Sequence, residues 1–301
     1  MRDATKGVLA MVMACTIWGL SPLYFAQLKH VPAIEILCYR AVWSSLFFAA
    51  ILAFQGRLAL VGQAVRGGQV WVIACAAALI SFNWLVYIFA IQTGQGIEAS
   101  LGYYVYPLVA VLLGWAGFSE RLQRMQWLAV LLAGSAVLVL TIGLGVPPWI
   151  ALGLAASFSL YGVIKKQLPL GPVVSVTAEV LLLAPFAALL LWLTGDVGAL
   201  SWDTHLLLAL SGPLTATPLI LFSFAARRIA MATVGVVQYV NPTLQFGCAV
   251  LVFGEPFSKW HAIAFPMIWA ALLVYSVSAI RQDRAARKAV SSDVTSGTVV
   301  T

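Results

Sequence analysis

Ten apolar runs follow one another along almost the whole chain, at about 7–28, 34–54, 70–91, 99–118, 125–143, 148–164, 174–194, 204–225, 233–253 and 260–280. A helix that crosses a bilayer takes about 20 residues. The 280 residues before Arg281 hold ten such helices with connections of only about eight residues each. None of the runs alternates polar and apolar residues, as the strands of a membrane barrel must. The expected fold is an all-α membrane protein of ten transmembrane helices. Composition agrees: 62% of the residues are hydrophobic and 9% charged, against roughly 25% charged in a soluble domain. That excludes a soluble enzyme, a nucleic-acid binder and a secreted scaffold.

The net charge of +7 resolves once the basic residues are placed on this topology. Both termini and every second loop share one face, and that face collects Arg2, Lys6, Arg57, Arg66, Arg121, Arg124, Lys165, Lys166, Arg227, Arg228, Arg281, Arg284, Arg287 and Lys288. The opposite face holds Lys29 and Lys259, and Arg40 lies inside the second run. A fourteen-to-two division places both termini in the cytoplasm by the positive-inside rule. His30, His205 and His261 fall on the other face. The first run is too long for a signal-peptide core and reads as a retained span. Cys15, Cys38, Cys75 and Cys248 stand singly in apolar runs and read as packing residues. No residue reads as catalytic, and no cofactor or metal set is expected; a GxxxxGK[ST] nucleotide loop is absent.

The two halves carry an internal repeat. Tyr104, Val105, Pro107, Phe118 and Glu120 recur as Tyr239, Val240, Pro242, Phe253 and Glu255, all displaced by the same 135 positions, with Tyr106 replaced by Asn241. Phe89 and Ala90 match Phe224 and Ala225 at that offset, and Trp18 and Gly19 match Tyr161 and Gly162 at 143. Five spans per repeat is an odd number, so the second copy runs through the membrane upside down, as in many transporters. The expected organisation is a cytoplasmic N-terminus over 1–6, a first five-helix repeat over 7–143, a second over 148–280, and a basic, then disordered, cytoplasmic tail over 281–301.

These residues carry a resemblance. Tyr-x-x-Pro followed by Gly117-Phe118-Ser119-Glu120, and again by Phe253-Gly254-Glu255-Pro256, resembles the drug/metabolite transporter superfamily with EamA-type repeats, over about residues 6–280. Ile17-Trp18-Gly19 with Pro22, Val31-Pro32 through Glu35-Ile36-Leu37 to Arg40, Asn83-Trp84-Leu85, Glu98-Ala99-Ser100-Leu101-Gly102-Tyr103, Arg124 to Val130 and Gln238-Tyr239 are similar to its RarD-type branch, named for chloramphenicol sensitivity. The resemblance implies a permease of the bacterial inner membrane for small organic solutes; relatives in the superfamily move amino acids, nucleotide sugars and cationic drugs.

A charge inside an apolar span costs roughly 2.5–3.5 kcal/mol on insertion scales and needs a partner or a watered cavity. Arg40 and Glu179 are the two such charges. Arg40 is read as an anchor for a substrate carboxylate or as a local partner of Glu35; Glu179 is read as a cation or proton site or as a residue snorkelling to its interface. Pro107 and Pro242 each free the carbonyl four residues earlier, those of Tyr103 and Gln238, which marks two kinks bordering an aqueous pocket. Trp18, Asn83, Tyr87, Tyr103, Tyr104, Tyr161, Gln238, Tyr239, Asn241 and Gln245 complete the expected substrate-binding lining of a midplane cavity. Pro185, Pro218 and Pro266 have no matched partners and read as packing kinks. Trp71, Trp127, Trp149, Trp202 and Trp260 read as interfacial belt, and Glu120 and Glu255 as helix-end residues. The fifth and tenth runs, with Gly134, Ser135 and Ala136, and Ala262, Ala264, Ala270 and Ala271, read as scaffold or as a homodimer surface. The functional expectation is a secondary transporter with alternating access. Its alternatives are an uncoupled facilitator or channel and a lipid-modifying membrane enzyme. The expected partners are a small-molecule substrate and the lipid bilayer.

Overall fold

The computed structural model describes residues 2–118, 122–145, 147–194, 200–229 and 231–296. All its regular structure among these residues is helical: α1 (Arg2–Gln27), α2 (Ala33–Phe54), α3 (Leu58–Arg66), α4 (Val70–Gln92), α5 (Gly96–Phe118), α6 (Arg124–Leu144), α7 (Trp149–Gln167), α8 (Pro172–Thr194), α9 (Trp202–Ala226), α10 (Met231–Val237), α11 (Val240–Gly247) with a π-helical turn over Cys248–Val252, and α12 (Lys259–Ser296). Eight of these helices are long and apolar enough to cross a membrane, and Trp149–Lys165 is a shorter apolar helix. The chain is therefore a multi-pass α-helical membrane protein.

Four features depart from the sequence reading. The ninth run is not one helix. It breaks at Gln238 and Tyr239, the position where the ring of Pro242 displaces the carbonyl four residues back. The freed Gln238 carbonyl does not face a cavity unpaired, because it accepts the Asn241 N–H at 3.1 Å. Next, α3 is a helix where only a connection was expected; it buries Val61 and Ala64 and carries Arg66 in its last turn. The last helix does not stop at 280 but continues through a stretch rich in Ala, Arg and Lys, all strong helix formers. The expected disordered tail is thus helical as far as Ser296, and 297–301 lie outside the described residues. Finally, Cys75 is exposed, whereas Cys15, Cys38 and Cys248 are buried as packing residues.

An inner group of helices surrounds the middle of the molecule. α1 packs on α9 and α11, α2 on α8 and α9, α4 on α7, and α5 on α7 and α11. Close backbone approach requires glycine at two of these crossings. A Cβ on Gly19 would lie 2.7 Å from Leu244 Cβ, and one on Gly102 would lie 2.8 Å from the Ala151 carbonyl. α6 and α12 pack on each other outside this group. Ala129, Ala133 and Ala136 meet Ala264, Phe265, Ile268 and Ala271 in one buried cluster, and Gly134, Ser135, Ala262 and Ala270 are left on the exposed side. Trp71, Trp149 and Trp202, at the starts of their helices, are exposed, as belt residues are.

Candidate functional site

Arg40 lies seven positions after the first residue of α2, two turns into the bundle. Its Nε donates to Thr215 Oγ1 of α9 at 3.0 Å. Thr215 in turn donates its proton to the Ser211 carbonyl at 2.8 Å, so the hydroxyl presents only a lone pair to the guanidinium. The guanidinium carbon stands 4.0 Å from the centroid of Trp84 and 5.8 Å from that of Phe25, a cation–π arrangement. Among the described residues no carboxylate comes within ion-pairing distance of Arg40. The local pair with Glu35, the alternative reading of Arg40, is not formed.

From this charge a file of aromatic rings runs through the bundle. Phe25 meets Tyr87 at 5.9 Å between centroids, Tyr87 meets Tyr103 at 5.7 Å, Tyr103 meets Phe158 at 6.0 Å, and Phe158 stacks on Tyr161 at 6.0 Å. Tyr106 joins from the side at 5.1 Å from Phe158. The hydroxyls and amides that hold these rings are satisfied internally, as buried polar groups must be. Tyr87 lies 3.0 Å from Ser21 Oγ, whose own proton goes to the Trp18 carbonyl at 2.6 Å. Tyr103 donates to Asn83 Oδ1 at 2.9 Å, and Asn83 Nδ2 donates to the Leu154 carbonyl and to Ser157 Oγ at 3.1 and 3.0 Å. Tyr24 donates to the Leu207 carbonyl at 2.7 Å. Arg40, Trp84, Tyr103, Tyr106, Phe158 and Tyr161 nevertheless stay half-buried, each keeping accessible surface.

The file ends at Glu179, which also lies seven positions after the first residue of its helix, α8. Its side chain is 1% exposed and accepts three groups: Lys165 Nζ at 2.6 Å, Ser175 Oγ at 3.0 Å and Tyr161 OH at 3.0 Å. Lys165 also donates to Ser175. Three donors and a full positive charge around one carboxylate meet the condition under which a buried charge is tolerated.

The structure therefore brings together Arg40, Asn83, Tyr87, Tyr103, Tyr161 and Glu179; Trp18 is linked to them through its carbonyl, which accepts the Ser21 hydroxyl, while its ring meets Phe222 of α9 at 6.2 Å. It separates Tyr104 from them. That ring is turned to α12, 6.1 Å from Phe265 and 6.4 Å from Trp269, with its hydroxyl 2.8 Å from Thr243. Tyr239 packs in the same α6–α12 cluster. Asn241 and Gln245 are buried and bonded to each other at 2.9 Å, and the Asn241 carbonyl lies close to Gly19. Gln238 stands at the break between α10 and α11, beside the Tyr106 hydroxyl. Pro107 lies inside an unbroken α5, whereas Pro242 follows a break.

Residues that the sequence reading passed over are Lys165, Phe158, Thr215, Ser157 and Ser175. Ser175 precedes Glu179 by four positions, one helical turn, and that spacing was the available signal. Lys165 has the sequence pattern of a loop charge, but its ammonium is turned to Glu179. Glu255 is a helix-end residue of a particular kind: its two oxygens accept the N–H groups of Gly96 and Ile97, both at 2.8 Å, and so cap α5 from 159 residues away. Glu120 lies outside the described residues. Two cavities open elsewhere, one of about 470 Å3 between α3 and residues 169–171 and one of about 330 Å3 beside Trp43 and Phe47.

The model of the EamA-like transporter family matches residues 5–142. An uncharacterized transporter of Vibrio cholerae is 39% identical over 294 residues, covering 96% of this chain and 97% of its own. Protein RarD of Escherichia coli is 37% identical over 293 residues, covering 95% and 99%, and Protein RarD of Streptomyces exfoliatus is 41% identical over 293 residues, covering 95% and 93%. One crystal structure, 20% identical, superposes on 90% of this chain and 96% of its own with a TM-score of 0.60, a likeness of fold.

Proposed function

Because the chain belongs to the EamA-type drug/metabolite transporters, in their RarD-like branch, we propose that it is a secondary transporter of the bacterial inner membrane. It moves small organic solutes by alternating access along the aromatic file between Arg40 and Glu179. The observation that carries this reading is the pair of intramembrane charges, each seven positions into its helix, α2 and α8, and joined by a file of rings of which Trp84, Tyr103, Phe158 and Tyr161 keep accessible surface. Membrane-embedded charges of this kind mark solute and ion pathways.

The packing pairs support two inverted repeats. Exchanging α1 with α7, α2 with α8, α4 with α9, α5 with α10–α11 and α6 with α12 turns the α1–α9 contact into α7–α4, and α5–α7 into α11–α1. The same exchange returns α2–α8, α5–α11 and α6–α12 to themselves. Such an arrangement lets one half rock against the other about a shared site. Reading 233–253 as a broken span restores the count of ten, and the basic residues then place both termini in the cytoplasm. Lys165 is only 21% exposed and turned to Glu179, so thirteen of the fourteen remain as charges of that face, and the orientation is unchanged.

On this topology the outer face is bridged between the halves. His30 Nε2 lies 3.0 Å from Thr204 Oγ1, and Glu255 caps α5. These contacts must open when the site faces outward. A reconstituted His30→Cys and Thr204→Cys pair closed by a cleavable bifunctional thiol reagent should stop uptake across a panel of labelled amino acids, aromatic acids and drugs. Cleavage should restore it; uptake indifferent to the bridge would refute alternating access at this face. Glu179 is the proposed coupling site, its pair with Lys165 being the contact that a proton would release.

A further inference from the structure

The charge and donor inventory of the file narrows what it can hold, and this inference rests on reading the file as the solute path. Glu179 has its counter-charge in Lys165 at 2.6 Å. Arg40 has none among the described residues. A guanidinium keeps its charge at any accessible pH and carries five N–H donors, of which, among the described residues, only the one on Nε is used, on Thr215. The guanidinium carbon stands 4.0 Å from the centroid of Trp84 and 5.8 Å from that of Phe25, rings that attract a cation but accept no full hydrogen bond. Three nearby residues spend their donors within the protein: the Tyr24 hydroxyl on the Leu207 carbonyl, the Tyr103 hydroxyl on Asn83, and both Asn83 N–H donors on Leu154 and Ser157. The site thus offers one planar positive fork beside flat rings, with no anionic group among the described residues free to receive an ammonium.

We infer that the substrates are organic monoanions with a flat aromatic body, the carboxylate held by Arg40 and the ring held against Trp84 and the Tyr87–Tyr103 pair. The same inventory disfavours free amino acids, whose ammonium would have to come to rest beside Arg40 without a carboxylate of its own. It disfavours cationic drugs more strongly still. A guanidinium and a carboxylate match as two parallel hydrogen bonds, a geometry that an ammonium cannot reproduce.

The test is isothermal titration of the full-length protein in lipid nanodiscs with three aromatic monoanions: N-acetyl-L-phenylalanine, indole-3-acetate and 4-hydroxybenzoate. L-phenylalanine and L-phenylalaninamide serve as the zwitterion and the cation of nearly the same shape. At least one monoanion should bind saturably with a Kd tenfold or more below that of L-phenylalanine, and the amide should not bind. Arg40→Gln should raise the monoanion Kd at least tenfold, with Arg40→Lys between the two. Should Arg40→Gln fail to fold, Trp84→Leu, which leaves the charge in place, should also raise the Kd. Absence of binding by all three monoanions, or an amide binding as tightly as the anion, would overturn the inference. Counterflow separates the two readings. Monoanion binding without counterflow would leave the anion site and remove the carrier; counterflow of a cation without monoanion binding would leave the carrier and remove this substrate class.

Discussion

Removal of the Glu255 carboxylate should destabilise the fold more than any other change at a helix end. Its oxygens accept the first two N–H groups of α5, each at 2.8 Å, in a position where Glu255 is 8% exposed. A hydrogen bond to a charged group contributes about 1.5–3 kcal/mol, and a carboxylate at a helix N-terminus adds up to about 1 kcal/mol through the dipole. Glu255→Ala leaves two buried N–H groups without acceptors and should cost about 4 kcal/mol. Glu255→Gln retains one acceptor while turning an NH2 group toward the other N–H, so about 2 kcal/mol should be lost. The same contact can be attacked from its other side, since a Cβ at Gly96 would stand 2.9 Å from Glu255 Oε1, and Gly96→Ala should fall between these two. Unfolding in mixed detergent micelles, followed by far-UV circular dichroism against the mole fraction of dodecyl sulfate, gives the order: wild type, Glu255→Gln, Glu255→Ala. A Glu255→Ala protein within about 0.5 kcal/mol of wild type, the scatter of an ordinary surface change, would refute the capping account.

Glu179→Gln alone should cost about 3 kcal/mol by leaving Lys165 without its anion, and the double change with Lys165→Met should recover most of it in the same unfolding assay; uptake by Glu179→Gln should lose its pH dependence. Gly102→Val should destabilise by more than about 2 kcal/mol through overpacking, because even its Cβ would press on the Ala151 carbonyl and on Leu154 Cβ, whereas Gly134→Ala, with nothing within 4 Å, should be neutral. A reporter fused to the C-terminus should be active only in the cytoplasm; activity confined to the periplasm would reverse the topology.

Arg40 and Glu179 were legible from the sequence because a charge in an apolar run is too costly to be idle. Their partners were not. Lys165 closes an apolar run beside Lys166 and has the pattern of any loop-facing lysine; only its side-chain contacts with Ser175 and Glu179, across the short connection from α7 to α8, turn it inward. Tyr103 and Tyr104 show a misreading that helix geometry could have prevented. Neighbouring residues are about 100° apart around a helix, so Tyr103 can face the aromatic file only if Tyr104 turns away, as it does toward Phe265 and Trp269. Phe158 offers no pattern to distinguish it from other apolar residues of α7 and is recognised only by the rings on either side. The repeat equates Pro107 with Pro242, yet one helix continues through its proline and the other breaks before it. The surroundings differ: the Ser159 hydroxyl of α7 donates to the Tyr106 carbonyl at 2.9 Å beside the first proline, while the second follows the amide pair Asn241 and Gln245, bonded to each other. Glu255 was legible as a helix end, but not as the cap of a helix in the other half, since no local pattern specifies a contact of that sequence separation.

A chain that carries solutes by opening its aromatic file to one face at a time exchanges them across the membrane, and counterflow in proteoliposomes measures that exchange. Vesicles loaded with a millimolar unlabelled aromatic monoanion and diluted into a trace of the labelled compound should show a transient accumulation of label above equilibrium. The initial rate should saturate with outside concentration and be lost in Arg40→Gln. Label entering only to equilibrium, at a rate linear in concentration and indifferent to what is loaded inside, would show a pore and contradict the account.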